Sequence, residues 1–129
     1  MNKKLESLYN ATFDLIELRL NKKEEIIPFA LTLQGNEVAP IIQMYGQSRS
    51  NLLKEVRSIR DGLKEALKEK TISASCLAYT VTVIDPRTNK STDAVLFELT
   101  SNTPDETLSV YVPYDFNLEK IIQKPFQVS

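Results

Sequence analysis

Two segments of the chain repeat apolar residues every three or four positions. In residues 3–21 the repeat is formed by Leu5, Leu8, Tyr9, Thr12, Ile16 and Leu20. In residues 48–70 it is more regular and is formed by Leu52, Val56, Ile59, Leu63 and Ala66. This spacing is typical of an amphipathic helix that turns one apolar face toward a core. The pattern therefore predicts two helices, over residues 3–21 and 48–70.

Residues 26–44 and 72–114 instead follow the two-residue rhythm of β-strands. The first region predicts two strands joined at Gln34-Gly35-Asn36, and Pro40 favours a second strand that is short, bulged or at an edge. The second region predicts three strands, at residues 72–84, 93–100 and 108–114, with polar loops between them. The tail from Asp115 has no clear period, so a short helical turn and an irregular arm both stay open.

The order of elements, α-β-β-α-β-β-β, favours an α+β fold. Short links between consecutive strands favour antiparallel pairing, and all six prolines lie outside the two helices. We expect a single α+β domain over residues 1–129. It would contain an antiparallel sheet of about five strands with both helices packed on one face.

The apolar side chains of the last three strands define an expected core face. Its members are Leu77, Tyr79, Val81, Val83, Val95, Phe97, Leu99, Leu108, Val110 and Val112. We expect Ile59 and Phe97, at the centres of their patterns, to be almost fully buried.

The opposite face would carry a weakly polar patch made of Ala78, Thr80, Leu96, Glu98 and Tyr111. Such a face is solvated, covered by the C-terminal tail or buried in a dimer. Apolar patches are uncommon on monomers, and Tyr is favoured at interfaces. We therefore take these five residues as a candidate interaction surface for a homodimer or a protein partner.

Composition removes most familiar catalytic machinery. The chain has no His and a single Cys, Cys76. Nucleophilic sites that depend on His are therefore excluded, and a structural zinc site lacks its usual ligands. The three isolated glycines form no phosphate-binding loop. We expect no catalytic, cofactor-binding or metal-binding residues, and we interpret Cys76 as a small packing residue within a strand.

Carboxylates remain the available catalytic groups. Asp85 and Asp105 lie beside prolines in loops, where Asp commonly stabilises turns. Glu98 interrupts an otherwise apolar strand, which an exposed position would explain simply. A non-enzymatic protein-interaction domain, of adaptor, chaperone-like or immunity type, is the preferred function. The alternative is a small-molecule-binding protein or a hydrolytic enzyme with a carboxylate and Tyr pocket.

Charge is balanced overall but uneven along the chain. Sixteen Lys and Arg against seventeen Asp and Glu give a net charge of −1, whereas residues 48–70 carry seven basic and four acidic residues. This basic helix lacks the aromatic-rich strands typical of RNA recognition, so we predict no nucleic-acid partner. No apolar run approaches the roughly 20 residues that span a bilayer. We expect a cytoplasmic protein without a membrane partner.

Two sequence patterns carry a resemblance. Ile27-Pro28-Phe29-Ala30-Leu31-Thr32-Leu33, followed by Gly35 and Glu37, occurs together with Val110-Tyr111-Val112-Pro113-Tyr114. The combination resembles small uncharacterised bacterial proteins of similar length. The order of elements is also similar to that of roadblock and profilin-like domains, and more loosely of secretion chaperones. Those groups bind proteins or peptides, often as dimers, and roadblock domains usually end in a further helix.

Overall fold

The computed structural model describes residues 1–42 and 49–128, and it describes side chains outside residues 41–51. The elements are α1 (Lys3–Asn21), β1 (Phe29–Gln34), β2 (Glu37–Ile42), α2 (Arg49–Lys68), β3 (Ala74–Asp85), β4 (Lys90–Asn102), β5 (Asp105–Tyr114) and β6 (Phe126–Val128). The strands form one sheet in the order β2-β1-β3-β4-β5-β6, with every neighbouring pair antiparallel. The predicted α+β class is confirmed, and the C-terminal tail supplies a sixth strand.

Helix α1 begins at a side-chain cap. The side chain of Asn2 accepts a hydrogen bond from the backbone N–H of Leu5 at 3.0 Å, which satisfies one free donor of the first turn. The helix buries the stripe that the sequence pattern indicates, namely Leu5, Leu8, Thr12, Ile16 and Leu20. This stripe packs on the main core, where Phe97 is completely buried.

Helix α2 lies on the opposite face of the sheet. Val56, Ile59 and Leu63 of α2 form a second apolar cluster with Ala30 of β1 and Leu77 of β3, and Ile59 is only 3% exposed. The expectation that both helices share one face is therefore wrong. The physical reason is that β1 and the first half of β3 are buried on both sides, so each side of the sheet needs its own cover.

The expected core face of β3 is also shifted by one residue. Ala78 lies opposite Phe97 and Thr80 lies opposite Val95, so Ala78 and Thr80 point toward the α1 side. Leu77 belongs to the α2 cluster, and Tyr79 packs against that cluster. Because side chains alternate with a period of two, moving the assignment by one residue exchanges the two faces of the whole strand. The small residues Ala74, Cys76 and Ala78 face α1, whereas Leu77 and Tyr79 face α2.

Strand β2 forms one edge of the sheet, as Pro40 predicts. The two-residue turn Gly35-Asn36 places Gln34 opposite Glu37, and Gly35 has the positive φ of 62° that glycine readily adopts. The hydrogen-bonded pairs then fall at alternate positions, which leaves Pro40, opposite Leu31, at a position facing outward from the ladder. Proline costs no sheet hydrogen bond there and hinders the addition of a further strand.

The tail returns to the sheet as a strand. After a bridge between Tyr114 and Ile122, β6 pairs with β5 at the other edge. Residues 126–128 therefore form an edge strand, whereas roadblock domains usually have a helix after their last strand. Neither helix of the described chain has the apolar length that crossing a membrane would require.

Candidate functional site

The five residues predicted as one interaction surface do not share a face. Ala78 is fully buried under α1, and Thr80 lies on that same side of the sheet. Leu96, Glu98 and Tyr111 lie on the α2 side, where Leu96 is 7% exposed. The predicted patch is therefore corrected to two separate groups, because the face of β3 was assigned one residue out of register.

A polar cluster joins α2 to the sheet at Glu98. Arg60 of α2 donates from Nε to one carboxylate oxygen at 2.9 Å and from Nη2 to the other at 2.8 Å. Tyr79 of β3 donates its hydroxyl hydrogen to Glu98 at 2.5 Å and accepts a bond from Arg60 at 3.1 Å. These contacts explain the carboxylate within an apolar strand, because Glu98 accepts hydrogen bonds from Arg60 of α2 and Tyr79 of β3. The sequence pattern identifies Glu98 as unusual, but it does not identify Arg60 as its partner.

The cluster holds Tyr79 and Arg60 in fixed protonation states. Burial raises the pKa of Tyr79 to about 12, and its hydrogen bond to Glu98 acts in the same direction. The hydrogen bond to Glu98 likewise raises the pKa of Arg60. Tyr79 therefore stays a phenol and Arg60 a cation across the ordinary pH range. Both oxygens of Glu98 accept hydrogen bonds within the protein. The arrangement favours a structural role, in which the cluster attaches α2 to the sheet, over a role in proton transfer.

A cleft lies beside this cluster, between α2 and the α2-side surface of β3, β4 and β5. We call it the α2 cleft, and its volume is about 360 Å³. Arg60 and Lys64 line its wall, and its floor includes Glu98 together with the hydroxyl-bearing Thr100 and Ser109. Of the residues in this lining, sequence patterns single out only Glu98, because isolated Ser and Thr residues in strands carry no recognisable motif.

A larger and more apolar groove lies on the α1 side of the sheet. We call it the α1 groove, with a volume of about 780 Å³ between α1 and the β1–β2 hairpin. Leu15, Ile27 and Val38 line it while remaining 39%, 38% and 42% exposed. Asp14 and Arg19 of α1 contribute opposite charges. The groove exists because α1 packs over the central strands and leaves the edge strand β2 uncovered on this side.

Cys76 and Asp85 have structural surroundings. Cys76 is completely buried, and burial raises the pKa of its thiol to about 12. Asp85 accepts hydrogen bonds from the backbone and side chain of Arg87, and the side-chain bond is the larger cause of its lowered pKa. The interpretations of Cys76 as a packing residue and of Asp85 as a turn residue are confirmed.

Among residues 1–42 and 49–128, no group of three or more Cys, Asp and Glu side chains is placed to hold a metal ion. Comparison of the chain with protein-family models, with curated proteins and with solved structures finds no match.

Proposed function

We propose that this chain is a bacterial, cytoplasmic, non-enzymatic protein-interaction domain that associates through the α1 groove. The observation that carries the proposal is the clustering of Leu15, Ile27 and Val38, which are large apolar side chains left partly exposed around one concavity. Apolar surface of this kind tends to mark interaction sites on soluble proteins. One wall of the groove is the uncovered face of the β1–β2 hairpin. The proposed interaction therefore involves a sheet face, although not the face expected from the sequence.

The chemistry of the most reactive side chains supports binding over catalysis. Glu98, Tyr79 and Arg60 satisfy one another, and the Cys76 thiol is enclosed in the core with a raised pKa. A general base or nucleophile needs an accessible lone pair near substrate and a pKa matched to its task. Tyr79 and Cys76 retain their protons near neutral pH, and both Glu98 oxygens already accept hydrogen bonds, which favours the interaction function over a hydrolytic one. The unpaired thiol of a chain with one Cys also fits a reducing compartment.

We propose a second copy of the chain as the occupant of the α1 groove. Two pairs of α1 residues are centred on the same point between residues 16 and 17. One pair is Leu15 and Leu18, and the other is Asp14 and Arg19. A twofold axis through this midpoint would set α1 antiparallel to its copy, with Leu15 against the partner's Leu18 and Asp14 against the partner's Arg19. Twofold interfaces require this kind of self-complementary pairing. Arg19 now makes only an exposed 3.9 Å contact with Glu24, which contributes little and leaves it able to pair across the axis.

Sedimentation velocity across the micromolar range tests the dimer. We expect the full chain to show concentration-dependent dimerisation and the Leu15→Lys variant to sediment as a monomer. Leu53→Lys is the matched control, because Leu53 is a still more exposed leucine, at 74%, on the other helix. A parent protein that stays monomeric, or a dimer equally weakened by both variants, would overturn the second copy as the occupant.

A charge exchange tests the pairing itself. Asp14→Arg alone and Arg19→Asp alone should each weaken the dimer, because each sets like charges against each other across the axis. An equimolar mixture of the two variants should form the heterodimer, in which opposite charges meet again. Failure of the mixture to associate, with the parent dimeric, would place the interface on another surface.

A further inference from the structure

The floor of the α2 cleft contains hydroxyl groups brought together by strand register. Ser75 of β3 lies opposite Thr100 of β4, which lies opposite Thr107 of β5. These residues therefore form a row across three strands on the side of the sheet that faces α2. Ser109 lies in the adjacent row, opposite Glu98. Directly opposed side chains on one face have Cβ atoms only about 4.5–5.5 Å apart, so several hydroxyls can reach one small ligand.

Nothing in the described part of the chain uses these hydroxyls. Thr32, Ser73 and Ser101 donate their hydroxyl hydrogens to carbonyl oxygens of the protein. Ser75, Thr100, Thr107 and Ser109 differ, because they line the cleft and their hydroxyls form no hydrogen bond to another residue that the structure describes. Their hydroxyl groups are therefore free to donate hydrogen bonds to a ligand in the cleft and to accept hydrogen bonds from it.

The charges of the lining favour an anion with a single charge. Arg60 and Lys64 follow each other by one turn of α2, and both line the cleft. Glu98 neutralises Arg60 through the two-pronged hydrogen bond, whereas Lys64 has no ion-pair partner among the described residues. The three charged groups sum to one positive charge, which is carried by Lys64 at the rim.

The remaining wall is apolar and sets the shape of the ligand. Leu63 and Leu67 of α2 and Leu77 of β3 line the cleft beside the hydroxyl row. A volume of about 360 Å³ lies near the small end of the range for ligand pockets, which is about 300–1,000 Å³. A ligand that satisfies the whole lining has one anionic group and a compact apolar body.

We propose that the α2 cleft binds a small organic monocarboxylate. Its carboxylate accepts hydrogen bonds from Lys64 and from hydroxyls of the row, and its apolar body packs against Leu63, Leu67 and Leu77. The cleft and the α1 groove lie on opposite faces of the sheet, so this binding is independent of the proposed dimer.

Titration of the full chain with sodium benzoate, followed through backbone amide signals by NMR, tests this site. We expect saturable shifts at Lys64, Thr100, Thr107 and Ser109. Benzamide has nearly the same shape without the charge, and it should bind about tenfold more weakly because a charge-assisted hydrogen bond is lost. Inorganic phosphate has the charge without the apolar body and should produce smaller shifts at the same amides. Benzoate that leaves the cleft amides unshifted, or benzamide that binds as well, would overturn the proposal.

Two variants locate the contacts. Lys64→Gln should weaken benzoate binding about threefold to fivefold, as expected for a partly solvated ion pair. Lys68→Gln is the matched control, because it lowers the net charge equally at an exposed position one turn farther along α2. Thr107→Val removes one hydroxyl at nearly constant shape and should weaken binding about threefold. Equal effects of the two lysine substitutions would show attraction to overall charge and would overturn the assigned site.

Discussion

Tyr111 of β5 and Phe126 of β6 stack with their ring centroids 5.2 Å apart and their planes inclined by 10°. The two residues are also register partners in the sheet. The contact covers one side of the Tyr111 ring within its own chain, so Tyr111 is not available as the centre of a flat interface. Covering by the tail was one of the outcomes left open by the sequence, and the stack shows it at this residue.

The first prediction concerns the attachment of the tail. Arg87 donates to the carbonyl oxygen of Lys124 at 2.6 Å, and its guanidinium lies 5.2 Å from the Phe126 ring centroid. We expect Arg87→Ala to accelerate hydrogen exchange at the β6 amides that pair with β5, because both contacts that hold the segment are lost. Amides at the centre of β4 should keep their protection.

Arg57→Ala provides the comparison, because Arg57 is an exposed arginine of α2 remote from β6. Exchange in β6 that is the same in both variants and the parent would show that backbone pairing alone holds the tail.

The second prediction concerns the two cores. Phe97 is completely buried beneath α1 and contacts the Tyr9 ring, with centroids 5.6 Å apart. Phe97→Ala should lower the free energy of unfolding by about 3–5 kcal/mol. Leu63→Ala should cost about 2 kcal/mol, at the low end for leucine, because Leu63 borders the α2 cleft. Urea unfolding measures both, with Leu53→Ala as an exposed control on the same helix. Losses for Phe97→Ala and Leu53→Ala of the same size would contradict the assigned core.

The third prediction concerns the thiol. Cys76 is buried and its thiol pKa is raised to about 12, so little reactive thiolate forms near neutral pH. We expect an aromatic disulfide reagent to label the native protein slowly and the urea-unfolded protein rapidly. Cys76→Ala gives the blank, because the chain has no other Cys. This variant should retain the fold with a loss of about 1 kcal/mol, comparable to the removal of a small buried group. Fast labelling of the native protein would instead identify an accessible, activated thiol.

The fourth prediction concerns alkaline pH. The pKa of Tyr79 is raised from 10.0 to about 12 in the folded protein, so the folded state retains a proton that the unfolded chain releases. The resulting stabilisation is fully present below pH 10 and is lost as pH rises from about 10 through about 12. Tyr79→Phe should therefore show a smaller loss of unfolding free energy over this interval than the parent does. In the Tyr79→Phe variant, the rise in phenolate absorbance at pH values around 12 should also be smaller. Identical pH dependence of the two proteins would contradict the raised pKa of Tyr79 in the folded state.

Local physical chemistry in the sequence determines most of the secondary structure. The apolar period predicts α1 over residues 3–21, and Asn2 caps its first turn, so both signals are local to the helix. Pro40 limits β2 to a short, bulged or edge strand, because proline has no N–H to donate to a second neighbouring strand, and β2 lies at the edge. The buried position of Cys76 follows from its place within an apolar strand. Each of these inferences needs only interactions between residues near one another in the chain.

Only the tertiary structure decides which side of the sheet each element covers. Alternation along β3 separates Ala78 from Leu77, yet it does not say which of the two faces α1, since both faces are buried. The choice depends on the register with β4 and on the path of α2 across the sheet. The same packing brings Arg60 to Glu98, 38 residues away in sequence, and aligns Ser75, Thr100 and Thr107 from three strands. Such pairings result from the burial of two apolar faces at once, and no local pattern encodes them.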